Sequence, residues 1–599
     1  MTGFEKKKWQ AKGIKGRKIR VLLLRVSAPG VGSWPENKPF KIPECQVIPP
    51  LGILYLASVL KKNFGKKLDV IVESLSTAVS TEEEISKFLS KIKPDIVGIS
   101  AMSAEAGITA KVAGTAREIL DGVFVVIGGP YPTFEPHRCL EKTGADMVVT
   151  GEAEGVICHL FDFIIKGGDP SKIPGIAFTH QGKFILTPRP PAVFPLDSLP
   201  LPSWEMVDLN LYSKMYNMNG IPLLKSPYAP ILTSRGCPYR CSFCHNMMGR
   251  QFRPRSPENV VYEMEYLYRK FGIREFHIID DIFNFDGKRV EAICKKIIKR
   301  GMDIAIAFPN GLRGDRFTKS QILLLKKAGC YSMCLSLESA SPRILKMMRK
   351  NLNLKKLDEN ARFASSIGII TKCIFMAGYP DETREEMEET LRWIRDSGFI
   401  LIQHSIACPL PGTEMARQAK MVNPLYDAGG GFTMDYNAVK NISRVSDDEL
   451  KILLARGVSE IFSVPWRKKK LEEVRRMWSS KDERYFDWTI GDGMSGITGR
   501  GMKDGKIPVT ELKEFAEKLI LADEGLKGWE IFEILDSVVT FCGPRKEKVR
   551  IMVKEKDAPD ESMACGFRYK ISYLPDFPSQ PSVVDSIIKA FRKVDIRKV

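Results

Sequence analysis

Short apolar runs alternate with amphipathic segments over the first 180 residues of the chain. The runs are rich in Val, Ile and Leu, as is typical of strands buried on both faces of a parallel sheet. Between them, segments 81–92 and 108–120 carry apolar residues at helical spacing. This alternation predicts a Rossmann-like, doubly wound α/β domain over residues 1–180. Its predicted strands lie at 18–25, 68–73, 96–100, 123–128 and 147–150.

The alternation stops at residue 181, and prolines are frequent as far as residue 229. They cluster in 187–195 and again in 199–204. Because proline removes a backbone donor and disfavours helices and central strands, this composition favours an extended connection. Residues 181–229 are therefore predicted to form a Pro-rich linker between two domains.

A second alternating region extends from residue 230 to residue 440. In it, six strand-like apolar runs alternate with segments of helical periodicity. Six successive βα units indicate a (βα)6 partial TIM barrel rather than an open two-faced sheet, and in such barrels the chemistry gathers at the C-terminal ends of the strands. The predicted strands lie at 230–234, 275–280, 304–308, 332–337, 371–377 and 401–407.

The last part of the chain, residues 441–599, shows neither of these strand–helix alternations. A basic segment near 445–480 has the pattern of a helical extension. Beyond it, the sequence predicts a small α+β C-terminal region whose role the pattern does not indicate. The predicted helices of this region lie at 509–521 and 528–540, and its predicted strands at 548–554 and 567–573.

The composition is that of a globular protein, with 599 residues of which 44% are hydrophobic and 27% charged. No apolar run approaches the ~20 residues that a membrane-spanning helix needs. Residues 1–9 are followed by no apolar core of a secretory signal. The 13 cysteines are scattered apart from one triplet, which argues against a disulfide framework. These features predict a cytoplasmic protein.

The net charge of +19 is compatible with several kinds of partner. Basic runs lie at 6–8, 12–20 and 467–470, where a solvated face is a commoner explanation than nucleic acid. An acidic electron-donor protein, an anionic substrate or an anionic membrane surface would also suit this charge. Nucleic acid is therefore the less favoured partner, and the charge favours an anionic small molecule or lipid as substrate.

Cys237, Cys241 and Cys244 form a C-x3-C-x2-C triplet directly after the first predicted barrel strand. Three thiols on one short loop can converge on a metal centre and leave one position open for another ligand. Thiolates are the usual ligands of iron–sulfur clusters, so the triplet favours a cluster with one open iron. The alternative interpretation is three buried or incidental thiols.

The triplet, with the aromatic Phe243 before its third cysteine, resembles the cluster loop of the radical S-adenosylmethionine (SAM) enzymes. That resemblance implies a [4Fe-4S] cluster that binds SAM through its open iron. Strand-end segments in 230–415 are similar to the SAM-binding motifs of the same family. Carboxylates suit a cationic sulfonium with an ammonium group, and glycine or proline lets the backbone approach adenine. The implied SAM contacts are Phe243, Asp280, Asp281, Ser336, Glu338, Gly378 and Pro411.

Each of these acidic residues also has an ordinary structural explanation. Taken alone, Asp280 or Asp281 could be the N-cap of a helix, and Glu338 could pair with a structural cation. Their placement at the ends of successive predicted strands, together with the Cys loop, favours the binding site over the separate explanations.

The N-terminal domain resembles the cobalamin-binding domain that precedes the barrel in one branch of the radical SAM enzymes. Glycines at strand ends would let a flat ring lie against the backbone, in the crevice of an open α/β sheet. The Asp-x-His-x-x-Gly motif that supplies a histidine to cobalt does not occur in the sequence, so no such ligand is expected. The implied cobalamin contacts are Gly98, Ser100, Gly128, Gly129, Thr133, Gly151 and Glu152.

Two alternatives to this assignment stay open. The N-terminal domain could be Rossmann-like without cobalamin, or the chain could be a methylthiotransferase, which also has an α/β domain before its barrel. Methylthiotransferases carry a second N-terminal Cys triplet, however, and Cys45, Cys139 and Cys158 form no recognisable set.

The resemblance implies an enzyme that cleaves SAM to a 5′-deoxyadenosyl radical and methylates an unactivated carbon with the help of cobalamin. Related enzymes use the same cofactors for oxidative cyclisation or rearrangement, and a cluster- or cobalamin-based sensor is a possibility of a different class. An acidic electron donor such as flavodoxin or ferredoxin is the implied protein partner. The sequence identifies neither the substrate nor a catalytic residue.

Overall fold

A computed structural model describes residues 17–27, 48–76, 81–213, 223–426 and 441–478, together with four strands between residues 530 and 573. The chain divides into two compact units, Met1–Ile497 and Thr498–Val599. In the described part of the chain, no helix combines the length and the apolar character that crossing a bilayer requires.

A seven-stranded sheet is the centre of the N-terminal domain. Its strands are β1 Ile19–Ser27, β2 Leu68–Ser76, β3 Ile96–Ser100, β4 Phe124–Gly128, β5 Met147–Val149, β6 Ile176–His180 and β7 Lys183–Leu186. They lie in the order β2-β1-β3-β4-β5-β6-β7, and β1 to β5 are mutually parallel. The order changes direction between β1 and β3, where an open α/β sheet leaves a crevice outside the carboxyl ends of its strands.

Helices cover both faces of this sheet, which confirms the doubly wound prediction. Alternate residues of β1 point to opposite faces: Val21 and Leu23 belong to one apolar cluster, and Leu22 and Leu24 to another. All four side chains are buried. Within the described part of this domain, the α-helices are Leu51–Phe64, Glu82–Ile92, Ala106–Ile119, Pro130–Phe134, Pro136–Thr143 and Ile157–Lys166.

The edge of the sheet departs from the prediction, because β6 and β7 form an antiparallel hairpin. Gln181 and Gly182, between the two strands, have φ values of +49° and +72°. Two consecutive positive φ values are typical of the tight hairpin turn that matches strand twist. The chain therefore leaves the sheet after Leu186, later than the predicted linker start at residue 181. In its described residues, up to 213 and from 223, the linker includes the short α-helix Leu209–Ser213.

Six parallel strands form the second domain and confirm the partial barrel. They are β8 Tyr228–Ile231, β11 Glu275–Ile278, β12 Ala305–Leu312, β13 Cys330–Glu338, β14 Ile370–Ala377 and β15 Leu401–Ile406, paired in that order. Two short strands, β9 Ser234–Arg235 and β10 Arg253–Pro254, lie between β8 and β11. The helices between and after these strands are Pro257–Lys270, Gly287–Arg300, Lys319–Lys327, Pro342–Met347, Leu354–Ser366, Arg384–Asp396 and Glu414–Val422.

The predicted helical extension consists of Asp447–Ser463 and Pro465–Trp478. Leu471 and Val474 of the second helix belong to an apolar cluster with Ala305, Tyr331 and Ile370. Those three residues lie at the N-terminal ends of their strands. The helix therefore covers the lower end of the partial barrel, and the C-terminal ends of the strands remain as its mouth.

The second unit contains a four-stranded antiparallel sheet in the order β16-β17-β18-β19. The strands are β16 Glu530–Leu535, β17 Val538–Cys542, β18 Lys548–Glu555 and β19 Phe567–Tyr573. The two strand predictions are confirmed, but the helix predicted at 528–540 is wrong. That segment is rich in Ile, Phe and Val, which favour strands, and a short apolar run does not distinguish the two periods. The helix predicted at 509–521 lies outside the described residues.

Candidate functional site

The Cys triplet lies on a closed loop directly after the first barrel strand. β9 and β10 pair antiparallel, with Arg235 opposite Arg253, so residues 236–252 form a loop on a short stem. Gly236 begins the loop with a φ of +79°, and a Cβ there would lie 2.9 Å from Gly249 O. Only glycine suits this position, because any side chain would collide with the returning arm of the loop.

Hydrogen bonds hold this Cys loop against the ends of later barrel strands. Ser242 N donates to Met348 O at 2.9 Å, and Met415 N donates to Ser242 O at 2.8 Å. The Ser242 hydroxyl lies 2.5 Å from the hydroxyl of Tyr379. Met348, Tyr379 and Met415 come after β13, β14 and β15, respectively. The Cys loop therefore lies at the mouth of the partial barrel, as the sequence predicted.

The three thiols of the Cys loop are free, with Cys237 and Cys241 half-buried and Cys244 exposed. Burial and the neighbouring thiols raise the pKa of Cys237 to about 11, and burial also raises the pKa of Cys241. Among the described residues, no three His, Cys, Asp or Glu side chains converge on a position for a single metal ion. Thiolates that bind different irons of one cluster do not need such convergence, so this donor set fits an iron–sulfur cluster.

A buried ion pair lies beside the Cys loop. Glu338 ends β13 with a φ of +68°, and its carboxylate accepts a hydrogen bond from Lys350 Nζ at 2.9 Å. Lys350 Nζ also lies 6.0 Å from the ring centre of Phe243, which packs with Tyr379 and Met415. The structure brings the predicted contacts Phe243 and Glu338 together and adds Lys350. This lysine was not among the implied SAM contacts, since the turn after a helix is what returns it to the strand end.

Ser336 lies on β13 opposite a position where a side chain would not fit. A Cβ at Gly311 would collide with the Ser336 hydroxyl. A register irregularity separates Ser336 from Glu338 in the pairing of β13 with β14. Such bulges redirect side chains next to functional sites. Ser336 is half-buried, so its hydroxyl lies close to the mouth of the barrel without being sealed inside the sheet.

The two consecutive aspartates after β11 have different environments. Asp280 is 3% exposed, and its carboxylate accepts from Thr233 N at 2.6 Å, Thr233 Oγ1 at 2.5 Å and Ser234 Oγ at 2.6 Å. Asp281 is exposed and accepts from Gly236 N at 3.0 Å. Asp280 thus holds the strand that enters the Cys loop, whereas Asp281 lies at the base of the loop with the rest of its carboxylate open.

The segment after β14 forms a tight turn around a buried carboxylate. Gly378 has a φ of +79°, and its N–H donates to Glu382 Oε2 at 2.8 Å. Tyr379 N donates to the same oxygen at 3.0 Å. Burial raises the pKa of Glu382 to about 8, although these two donors favour its charged form. After β15, Pro411 O lies 2.7 Å from His245 Nε2, directly beyond the Cys triplet.

The carboxyl edge of the N-terminal sheet is lined by backbone rather than by side chains. Gly129 has a φ of +95°, and a Cβ there would lie 2.8 Å from Ala101 O. Thr133 Oγ1 donates to Gly129 O at 2.7 Å and accepts from Gly151 N at 2.9 Å. A Cβ at Gly128 would meet no atom within 4 Å. The edge is therefore a braced backbone with open space in front of Gly128.

The other predicted cobalamin contacts differ in their distance from this edge. Ser100 ends β3, and its hydroxyl would lie 3.3 Å from a Cβ at Gly129. Gly98 lies inside the strand, where a Cβ would come within 3.0 Å of the Leu23 side chain. Gly98 consequently serves close packing within the domain, and the structure does not bring it to the open edge.

A half-open cavity of about 460 Å³ lies along the same edge. Arg189, from the chain just beyond β7, reaches into its wall and donates from Nη2 to Thr133 O at 2.6 Å. Sequence reasoning assigned Arg189 to the linker and missed its place at the edge, because the β6–β7 hairpin determines where it returns. The lining residues are Thr133, Pro136, Thr150, Leu186, Thr187, Pro188 and Arg189.

Glu152, the last predicted cobalamin contact, is buried in an ion-pair network. Its carboxylate lies 2.8 Å from Arg235 Nη1 and also pairs with Arg253. Glu154 Oε1 lies 2.6 Å from Arg235 Nη2. Both oxygens of Glu152 are engaged by guanidinium groups of the Cys-loop stem. The structure thus turns this residue toward the barrel and leaves no carboxylate oxygen free at the sheet edge.

The sheet edge and the Cys loop meet through a ring stack. The rings of Phe134 and His245 lie 3.9 Å apart between centroids, with an interplanar angle of 11°. Phe134 ends the helix that begins beside Gly129, and His245 directly follows Cys244. The glycine edge of one domain and the thiol loop of the other are consequently neighbours.

The two domains match two known protein families. The chain matches the B12 binding domain over residues 46–161 and the radical SAM superfamily over residues 231–394. It is 31% identical over 421 residues to the uncharacterized methyltransferase PH0819 of Pyrococcus horikoshii, covering 70% of this chain and 88% of that protein.

A second relative is named for a different activity. The anaerobic magnesium-protoporphyrin IX monomethyl ester cyclase of Rubrivivax gelatinosus is 28% identical over 376 residues, covering 62% of this chain and 66% of the cyclase. Among solved structures, the radical SAM methyltransferase TsrM of Kitasatospora setae, with cobalamin and a [4Fe-4S] cluster bound, has a TM-score of 0.57. The match covers 80% of this chain and 99% of TsrM at 17% identity, so it shows a shared fold.

Proposed function

This chain belongs to the radical SAM enzymes that carry a cobalamin-binding domain, and from that premise we propose that it methylates an unactivated carbon. Its cofactors are a [4Fe-4S] cluster, SAM and cobalamin. The observation that carries the proposal is the Phe134–His245 stack, because it joins a thiol loop at a barrel mouth to an open glycine edge. A methyl carrier and a radical source need this proximity to act on one carbon.

The residues at the mouth of the barrel are proposed to hold the cluster and SAM, and to shield them while SAM is cleaved. The bound cofactors supply the electron that cleaves SAM, the resulting 5′-deoxyadenosyl radical and the methyl group. Cys237, Cys241 and Cys244 would ligate three irons of the cluster and leave the fourth for SAM. With the cofactors bound, Phe243 and the apolar residues that it packs against would shield this position from water, which protects a radical from side reactions.

SAM itself would lie across the strand ends that surround the Cys loop. Glu338 and Asp281 are acceptors for its ammonium and ribose groups, and the Lys350 ammonium is a partner for its carboxylate. Ser336 supplies a half-buried hydroxyl. Phe243, Gly378 and Pro411 are the candidates for contacts with adenine. Asp280 is proposed to act through the loop that it holds, since its oxygens already accept three hydrogen bonds.

Cobalamin would lie on the glycine edge of the N-terminal sheet. Its flat ring needs a surface without side chains, and the open space in front of Gly128 meets this need. Ser100, Gly129, Thr133 and Gly151 brace the same edge. No residue is proposed as a lower ligand of cobalt. The cavity beside Arg189 offers room for the part of the cofactor that extends beyond the ring.

The substitution Gly128→Ala tests this placement. Its added methyl group meets no protein atom within 4 Å, so the free energy of unfolding is expected to change by less than about 1 kcal/mol. If the ring occupies that space, the methyl group overpacks the site, and the Kd for cobalamin rises about 10- to 100-fold. Titration of the cobalamin absorption spectrum measures the Kd.

Gly114→Ala is the matched control, because a Cβ there also meets nothing within 4 Å but the residue lies on the helix Ala106–Ile119. Its cobalamin Kd should equal that of the wild type. Equal affinities of all three proteins would refute the placement of the ring at Gly128.

Anaerobic reconstitution tests the function as a whole. The protein, loaded with iron, sulfide and cobalamin and then reduced, is expected to convert SAM to 5′-deoxyadenosine. If the protein also transfers methyl groups, S-adenosylhomocysteine should form and cobalamin should carry label from methyl-labelled SAM. A reduced, fully loaded protein that forms no 5′-deoxyadenosine would contradict the proposal and favour a sensor.

A non-methylating radical reaction is the second candidate, because one relative is named as a cyclase. That reaction predicts 5′-deoxyadenosine without S-adenosylhomocysteine and without labelled cobalamin. The two candidates thus differ in the fate of the methyl group of SAM, which can be followed before the substrate is known.

The partners of the enzyme are proposed from its charge. A net charge of +19 favours an acidic electron donor such as flavodoxin or ferredoxin and an anionic small-molecule or lipid substrate over nucleic acid. The free thiols of the Cys loop need a reducing compartment, so a cytoplasmic location is proposed. Binding of the donor or substrate should weaken as salt increases.

A further inference from the structure

The stem of the Cys loop is held by carboxylates of the other domain. Arg235 and Arg253 lie opposite each other where the loop closes, and both contact Glu152. Arg253 Nη1 lies 3.1 Å from the oxygen of Glu152 that also accepts from Arg235 at 2.8 Å. Glu154 completes the network with a second contact to Arg235 at 2.6 Å.

This Glu152 network is buried and electrically balanced. The exposed fractions of the side chains are 3% for Arg235, 1% for Arg253, 9% for Glu152 and 7% for Glu154. Two guanidinium groups face two carboxylates, so each charge has a partner. With little water to screen the charges, their mutual attraction is strong, and the network resists displacement of either side.

Both arginines are also tied to the protein around them. Arg253 donates to Val193 O at 2.8 Å and to Met248 O at 2.8 Å, so it joins the linker and the Cys loop. The Arg235 guanidinium lies 5.2 Å from the ring centre of Tyr55, on the helix Leu51–Phe64. Because both arginines are held in this way, a displacement of the stem also displaces the Cys loop, residues 236–252.

On its other side, Glu152 is continuous with the glycine edge. It directly follows Gly151, whose N–H donates to Thr133 Oγ1 at 2.9 Å, and Thr133 in turn donates to Gly129 O at 2.7 Å. A ligand that orders this edge also orders the backbone from which Glu152 projects. The chain of contacts thus runs from the proposed cobalamin surface to the stem that carries the cluster ligands.

We propose that Glu152 is a positioning residue that couples cobalamin binding at the sheet edge to SAM binding at the Cys loop. The inference rests on the proposed function, since it needs both ligands. Binding of either ligand restricts the Glu152 network to one arrangement, and the second ligand then binds a site that is already ordered. By linkage, each ligand must raise the affinity for the other by the same factor.

The test measures the Kd for SAM of the anaerobically reconstituted protein, without cobalamin and with saturating hydroxocobalamin. For the wild type, cobalamin is expected to lower the Kd for SAM at least about 5-fold. In Glu152→Gln, which keeps the shape but loses the charge, the factor should fall below about 2-fold. Glu154→Gln removes a single contact and should give an intermediate factor.

Glu263→Gln is the matched control. Glu263 is buried and pairs with Arg255 at 2.5 Å, but it contacts neither the Cys loop nor the glycine edge. Its loss removes a buried ion pair of the same type, so the stability falls while the coupling factor should remain that of the wild type. An equal loss of coupling in this variant would mean that the Glu152 network acts only through general stability.

The outcomes separate this inference from the proposed function. A wild type that binds no SAM or no cobalamin refutes the proposed function and the coupling with it. A wild type that binds both without mutual effect, or a Glu152→Gln protein with undiminished coupling, overturns the inference alone. Iron content would show whether Glu152→Gln assembles a cluster. If it does not, Glu154→Gln is the deciding variant: an intermediate effect of cobalamin on the Kd for SAM supports the inference, and an effect equal to that of the wild type overturns it.

Discussion

Replacing Cys241 with alanine is expected to abolish SAM cleavage, with 5′-deoxyadenosine formation reduced at least about 1,000-fold. Cys241 lies in the centre of the triplet, and its neighbour Ser242 is held at 2.9 Å from Met348 O and 2.8 Å from Met415 N. The backbone of the loop is therefore fixed without the thiol, and the variant should fold. What it would lose is one of the three proposed thiolate ligands, and with it the cluster that delivers the electron.

The measurement combines iron content, the spectrum of the reduced cluster and the yield of 5′-deoxyadenosine from SAM. Cys158→Ala is the control, because Cys158 is also a free, partly buried thiol but lies on the helix Ile157–Lys166. It should retain full iron content and activity. The same losses are expected for Cys237→Ala and Cys244→Ala, and SAM cleavage retained by all three variants would disprove the cluster assignment.

The buried Glu382 is expected to make the stability of the protein fall as the pH rises from 5 to 8. It is 0% exposed, and burial raises its pKa to about 8, against the two backbone donors and nearby Arg343. In the unfolded chain a glutamate ionises near pH 4.3. Between these values the folded protein holds a proton that the unfolded chain has released. The stabilisation is complete below the lower pKa and is lost as the pH rises through the higher one, by about 3 kcal/mol from pH 5 to 8.

Denaturant unfolding at several pH values, compared between the wild type and Glu382→Gln, measures this effect. The amide imitates the protonated acid and keeps an acceptor for Gly378 N and Tyr379 N, so the difference in stability between the two proteins should change with pH. Glu386→Gln is the control, since contacts with Arg343 and others outweigh burial and lower the pKa of Glu386. Its contribution is lost on acidification, not between pH 5 and 8. A pH profile of Glu382→Gln parallel to that of the wild type would contradict the expectation.

Local patterns were sufficient for much of the fold. The alternation of Val21 to Leu24 between two faces followed from a continuous apolar run, and six βα repeats predicted the parallel barrel. The β6–β7 hairpin was missed because a two-residue turn at Gln181 and Gly182 has little signal within a linker-like composition. The helix predicted at 528–540 was wrong because a short apolar segment fits either period.

The candidate site was predictable where residues close in sequence act together. The spacing of Cys237, Cys241 and Cys244 indicated a cluster loop, because three thiols within eight residues are bound to lie close together. Lys350, Arg189 and the partners of Glu152 had no such signal. Each is brought into place by a turn or by the contact of two domains. Turns and domain contacts leave no periodic pattern in the local sequence.

The sequence by itself determined the class of chemistry, since ligand type and spacing specify a cluster loop and the strand-end glycines specify a bare backbone edge. Only the tertiary structure decided how these parts meet. It turned Glu152 away from the sheet edge and toward Arg235 and Arg253, and it stacked Phe134 on His245. The physical reason is that ligand spacing is a local property, whereas the pairing of buried charges depends on which distant residues share a site from which water is excluded.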